Sequence, residues 1–175
     1  NYDSVYVSGY ELEGDGGDAI LDFLEEHREM TVYYAPGPRI TYISEEKAKR
    51  MYALKPVIHL NELEAVTSTG EEEIVKASEK LHGWTGNTVL ITLGKEGVHL
   101  LEEGKHHVIP SKKAEVVDTI GAGDSHIGAV IAMRTAGYRF AESIQMANCI
   151  SAKVVSVKGT VLTTEEFEEG RRNNE

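Results

Sequence analysis

Short runs of consecutive apolar residues alternate with stretches whose apolar residues recur every three or four positions, and the alternation continues along most of the chain. A continuous apolar run suits a strand buried on both faces, whereas the wider spacing suits a helix with one buried face. Asp3 to Gly9 reads as an interior strand running into a loop, with Val5 to Val7 at its centre. After a turn over Gly14 to Gly17, Ile20, Phe23, Leu24 and His27 mark one face of a helix. Thr31 to Ala35 is the next strand, stopped by Pro36-Gly37-Pro38, and Ser44-Glu45-Glu46-Lys47 opens another helix on a capping serine. Pro56 to Leu60 is a buried strand that leads directly into Asn61.

Ile74, Ala77, Ser78 and Leu81 mark a further amphipathic helix, followed by a strand over Thr88 to Leu93 and a turn flanked by Gly94 and Gly97. Val98 to Leu101 runs through Glu102-Glu103-Gly104 into His106 to Ile109, a hairpin expected at a sheet edge. A helix begins near Gly121 with the apolar pattern of a buried element, and another runs from about Phe140 toward Val155. Gly159 breaks the pattern, and Thr163 or Thr164 is expected to cap a short acidic helix. Strands alternating with helices predict a parallel sheet with helices packed on its faces.

Charge narrows the partners. Eighteen basic residues against 29 acidic ones leave a formal charge of −11, which argues against a non-specific grip on nucleic acid or on an anionic membrane surface. Cys149 is the one cysteine, so no intrachain disulfide can form, and a reducing, cytoplasmic compartment is expected. No apolar run approaches a membrane span, and no signal peptide opens the chain. The first residue is Asn1 and a strand follows almost at once, so the chain is expected to be a portion of something longer.

The chemistry concentrates in Asp118-Thr119-Ile120-Gly121-Ala122-Gly123-Asp124. A glycine-rich turn opening a helix points bare N–H groups at whatever docks there, and the helix dipole favours an anion in that place. Asp124, in the first turn, would then stand beside a bound phosphate as a proton acceptor, the arrangement that phosphoryl transfer to a hydroxyl requires. Alternatively Gly121 and Gly123 make only a tight turn, and Asp124 only complements the dipole. The complete string, with an aspartate at each end, resembles the signature of the ribokinase-like (PfkB-type) carbohydrate kinases. That resemblance implies that Asp124 is the catalytic base and that the amides of Gly121, Ala122 and Gly123 form an anion hole.

Three further stretches follow the family's order. Asn61-Glu62-Leu63-Glu64 matches an Asn-x-x-Glu motif, which implies that Asn61 and Glu64 organise Mg²⁺ largely through water; taken alone the same residues read as a helix cap. Thr92-Leu93-Gly94-Lys95-Glu96-Gly97 resembles the loop that approaches ATP, with Thr92, Gly94 and Gly97 as contacts, although alone it reads as an ordinary turn. Ala147-Asn148 and Val154 to Thr163 resemble the segment that borders adenine and completes a monovalent-cation site. The implied ligands of K⁺ are the Asp118 side chain, the carbonyls of Ile120, Val154, Val157 and Gly159, and Thr163.

The resemblance implies a ribokinase-like three-layer α/β/α fold with a mostly parallel central sheet. Residues 1–175 are expected to form the C-terminal portion of a single kinase domain, without its N-terminal part and lid. It also implies ATP and Mg²⁺ as cofactors, with K⁺ as a candidate third, and a homodimer is compatible with it. The expected reaction transfers the γ-phosphate of ATP to a hydroxyl of a sugar or sugar derivative. A nucleoside acceptor and a non-catalytic nucleotide-binding module are the alternatives. Two departures from the family pattern stand out: His126 occupies a position where Phe is usual, with packing its expected role and a donor near the site the alternative, and Ala35-Pro36-Gly37-Pro38-Arg39 lacks an acidic residue, leaving solvent or a local carboxylate as the expected partner of Arg39 and a phosphate as the alternative. The remaining histidines show no zinc-site spacing, and no Gly-x-Ser-x-Gly elbow marks a hydrolase.

Overall fold

The structure is a computed structural model that describes residues 3–159, 163–165 and 168. The strands are β1 (Ser4–Ser8), β2 (Thr31–Ala35), β3 (Val57–Asn61), β4 (Val89–Thr92), β5 (Val98–Glu102) and β6 (Lys105–Ile109). The helices are α1 (Gly9–Glu13), α2 (Gly17–Glu26), α3 (Glu45–Ala53), α4 (Glu62–Thr69), α5 (Ile74–Thr85), α6 (Ala122–Thr135) and α7 (Phe140–Val155). The chain divides into two compact units, one of Asn1–Thr92 with His99–His107 and the other of Leu93–Val98 with Val108–Glu175.

The first unit carries most of a six-stranded sheet in the order β1-β2-β3-β4-β5-β6, parallel from β1 to β4. Right-handed crossovers in a sheet whose spatial order follows the sequence keep their helices on one face. The helices pack accordingly, α2 on α3, α3 on α5 and α4 on α5. Val57 to Leu60 are all buried, as expected of a strand in the middle of the sheet. Between β5 and β6 the chain turns on Glu103 and Gly104, both at positive φ, and β6 is the last strand of the sheet, in agreement with the predicted edge hairpin.

Two expectations for this unit change. The buried face of α2 is Gly17, Leu21 and Leu24, while Phe23 is exposed and stacks on His27 at 4.2 Å. Gly17 sets that rotation, because a Cβ there would overlap the Leu12 carbonyl. The loop expected after β1 is instead the short helix α1, closed by Ser8 N–H donating to Glu11 Oε2 at 2.6 Å.

In the second unit α6 lies against α7, and α7 buries Phe140, Ile144, Ala147, Asn148 and Val154 along one face. Helix α6 buries only His126, Ile127 and Val130, so the element expected to be buried is covered in part only, with Gly128 and Ala132 exposed. Thr163 is exposed, and Thr164, Glu165 and Glu168 are helical; the rest of the predicted acidic helix lies outside the described residues.

Candidate active site

In the first unit Asn61 and Thr92 are register partners at the carboxyl ends of β3 and β4, where open α/β sheets place their ligands. Asn61 caps α4. Its Oδ1 accepts from Glu64 N–H at 2.8 Å, and Glu64 Oε2 accepts from Asn61 N–H at 3.0 Å, a reciprocal capping box. Burial raises the Glu64 pKa above its ordinary value, and the two bonds to Asn61 offset part of that shift. Thr92 Oγ1 is turned to the Leu60 carbonyl at 3.4 Å. Among the described residues no three His, Cys, Asp or Glu side chains cluster as a direct metal site. The donor set here, a single oriented carboxylate, therefore suits an ion that keeps most of its water, as Mg²⁺ does. Arg39 pairs through both Nε and Nη2 with Glu13 and lies over the rings of Tyr10 and Tyr42, so its partner is a local carboxylate.

The second unit holds the other groups. Leu93 N–H closes on the Gly97 carbonyl at 2.8 Å around the Gly94–Glu96 turn, with Gly94 and Gly97 both at positive φ. A Cβ at Gly94 would meet nothing, whereas one at Gly97 would overlap the Ile109 carbonyl and crowd Pro110 and Ser111. Gly97 is thus required by the protein's own backbone, and Gly94 by its φ alone.

Gly121 is the N-cap of α6 at φ 77°, and no side chain caps the helix. Ala122 N–H donates to the Thr119 carbonyl at 3.2 Å, while the N–H groups of Gly121, Gly123 and Asp124 have no acceptor among the described residues. Exposed Asp124 stands in the first turn beside those bare donors. The Ala122 carbonyl accepts from the hydroxyls of Ser125 at 3.0 Å and Ser151 at 3.2 Å, which ties the start of α6 to α7. A negatively charged ligand placed here would meet oriented donors and the positive end of a helix dipole.

Asp118 Oδ1 accepts from Ile120 N–H at 3.0 Å, and the N–H groups of Val117 and Asp118 donate to the Val155 carbonyl at 2.7 and 3.2 Å. The two stretches expected to share a monovalent cation are therefore joined at the carboxyl end of α7. Val154 and Val157 lie at that end, and Gly159 follows at φ 101°. A carboxylate and carbonyl oxygens at the negative end of a helix are donors of the right chemistry for K⁺.

Asn148 is buried inside this unit. Its Nδ2 donates to the carbonyls of Ile109 at 3.3 Å and Pro110 at 2.9 Å, and its Oδ1 lies 3.1 Å from Nε2 of buried His126. Burial pushes the His126 pKa down to about 4, with the Asn148 bond opposing the shift. Sequence reasoning treated His126 as packing and Asn148 as a nucleotide contact. Their 22-residue separation carries no local signal, and only the packing of α6 on α7 joins them.

Residues 1–166 match the pfkB family carbohydrate kinase model. The uncharacterized sugar kinase YegV of Escherichia coli K12 is 31% identical over 159 residues, 89% of this chain and 50% of that protein. The aminoimidazole riboside kinase of Salmonella enterica, solved with aminoimidazole riboside and an ATP analog, superposes with a TM-score of 0.85 at 23% identity, over 97% of this chain and 63% of that one. A fructokinase double mutant of Vibrio cholerae bound to fructose, ADP and potassium superposes with a TM-score of 0.77 at 20% identity, over 91% of this chain and 56% of that one. These likenesses show the ribokinase-like α/β fold, and the chain spans half the length of the curated relative.

Proposed function

This chain belongs to the pfkB family of carbohydrate kinases, and we propose that it supplies the nucleotide-binding and proton-accepting part of an ATP-dependent kinase whose acceptor is a hydroxyl of a sugar or sugar derivative. Residues 1–175 then form the C-terminal portion of one kinase domain that works in the cytoplasm on a small molecule. The observation that carries this reading is the start of α6, where Asp124 stands beside N–H groups that no side chain caps.

Asp124 accepts the proton of the acceptor hydroxyl as that oxygen bonds to the γ-phosphorus, and the bond from phosphorus to the β-bridging oxygen breaks to release ADP. A carboxylate, though a weak base, suffices, because a loose phosphoryl-transfer transition state draws on positioning and electrostatics more than on early deprotonation. The N–H groups of Gly121, Gly123 and Asp124 hold phosphoryl oxygens, and the Ala122 N–H holds the turn by its bond to Thr119. Thr92, Gly94 and Gly97 border the nucleotide. Asn61 and Glu64 would hold the water shell of Mg²⁺, which neutralises phosphate charge when bound. Asp118, Ile120, Val154, Val157, Gly159 and Thr163 would hold K⁺, and the potassium in the Vibrio cholerae fructokinase supports that assignment.

A nucleoside acceptor is the second reading, favoured by the fold shared with a kinase solved with aminoimidazole riboside. Calorimetric titration with Mg·ATP tests the common core of both: heat and a thermal shift are expected at millimolar nucleotide, and absence of both overturns it. Rates with sugars and with nucleosides, compared in the full-length polypeptide, then separate the two acceptors.

A further inference from the structure

A continuous line of contacts runs through the second unit from the first turns of α6 to the glycine turn. His126 follows Asp124 by two residues and faces Asn148 of α7; Asn148 holds the carbonyls of Ile109 and Pro110; and that backbone is the surface on which Gly97 rests, so closely that no side chain fits. Both ends of the line carry groups assigned above, Asp124 at one and the Gly94 and Gly97 turn at the other. Resting on that kinase reading, we infer that His126 and Asn148 are positioning residues that hold the nucleotide-side turn against the start of the catalytic helix.

Hydrogen-bond accounting supports the assignment. Nδ2 of Asn148 faces two carbonyls, which can only accept, so Nδ2 must be the donor and Oδ1 is left to accept. His126 must therefore carry its proton on Nε2, and the orientations of both side chains are decided by the chain itself. Both are almost fully buried, with relative exposures of 3% and 5%, so neither exchanges these bonds freely with water. Phenylalanine at position 126 would fill the same space but offer Asn148 no donor. The histidine is thus matched to the asparagine as well as to the core.

Three variants separate positioning from packing, each read by calorimetric titration with Mg·ADP, by the ATP dependence of initial rates in the full-length polypeptide, and by melting temperature. Asn148→Asp keeps an acceptor for His126 and removes both donors to Ile109 and Pro110; nucleotide affinity is expected to fall about tenfold, with KM for ATP rising more than kcat falls. His126→Phe is expected to weaken nucleotide binding in the same direction. His126→Gln restores an N–H donor and should recover most of the loss. An unchanged dissociation constant in folded Asn148→Asp, or identical behaviour of the Phe and Gln variants, would overturn the inference while leaving the kinase reading intact. Absence of nucleotide binding in the unsubstituted chain would overturn both.

Discussion

Two helices of this protein begin in opposite ways. At the start of α4 the chain spends two side chains on satisfying the backbone, Asn61 accepting from Glu64 N–H and Glu64 accepting from Asn61 N–H. At the start of α6 it spends none: Gly121 takes a left-handed conformation, and the N–H groups of Gly123 and Asp124 remain without acceptors among the described residues. A cap of the first kind contributes about 1 kcal/mol, and the second helix forgoes it. Sequence alone allowed a capping reading and a ligand reading at both places. In the structure α4 is closed by its own side chains, whereas no side chain caps the start of α6.

The largest expected effect lies at the open start. Asp124→Asn in the full-length polypeptide is expected to lower kcat on the order of 10²- to 10⁴-fold with nucleotide affinity near normal, because the amide keeps the shape but cannot take the proton. Loss of both rate and affinity would make Asp124 a dipole partner only. Near-normal rate in a folded variant would remove it as the base.

The two regions are also expected to answer acid with opposite signs. His126 has a folded pKa of about 4 against an ordinary 6.5, so its contribution to stability is complete above about pH 6.5 and is lost as pH falls toward 4, about 3 kcal/mol in all. Burial raises the Glu64 pKa, so its share is present at low pH and is lost as pH rises through the folded value. Urea denaturation from pH 7 to 4 checks this. His126→Phe should flatten the acid limb, and an unchanged limb would place the acid-sensitive group elsewhere.

Gly123→Ala sharpens the contrast further. A Cβ there meets nothing, so the fold should gain up to about 1 kcal/mol of helix propensity while nucleotide binding weakens about tenfold. A more stable variant with unchanged affinity would show that no phosphate approaches this backbone. Asn61→Ala is expected to cost about 1 kcal/mol in denaturant unfolding. A much smaller loss would mean that α4 does not depend on its cap, and the comparison between the two helix starts would fail.

Apolar periodicity and turn residues determined the strands, most of the helices and the edge hairpin, because those signals are local: β2 spans Thr31–Ala35 and α7 spans Phe140–Val155, as the pattern predicted. The pattern misjudged the rotation of α2, which depends on how closely Gly17 approaches the Leu12 carbonyl. The same holds for the candidate site. The string from Asp118 to Asp124 and the cap on Asn61 were legible because each joins neighbours in sequence, whereas the pairing of Arg39 with Glu13 and the line from His126 through Asn148 to Pro110 were decided only when tertiary packing brought distant groups together. Buried polar groups must find partners wherever the fold offers them, and a one-dimensional pattern does not record which distant atoms those will be.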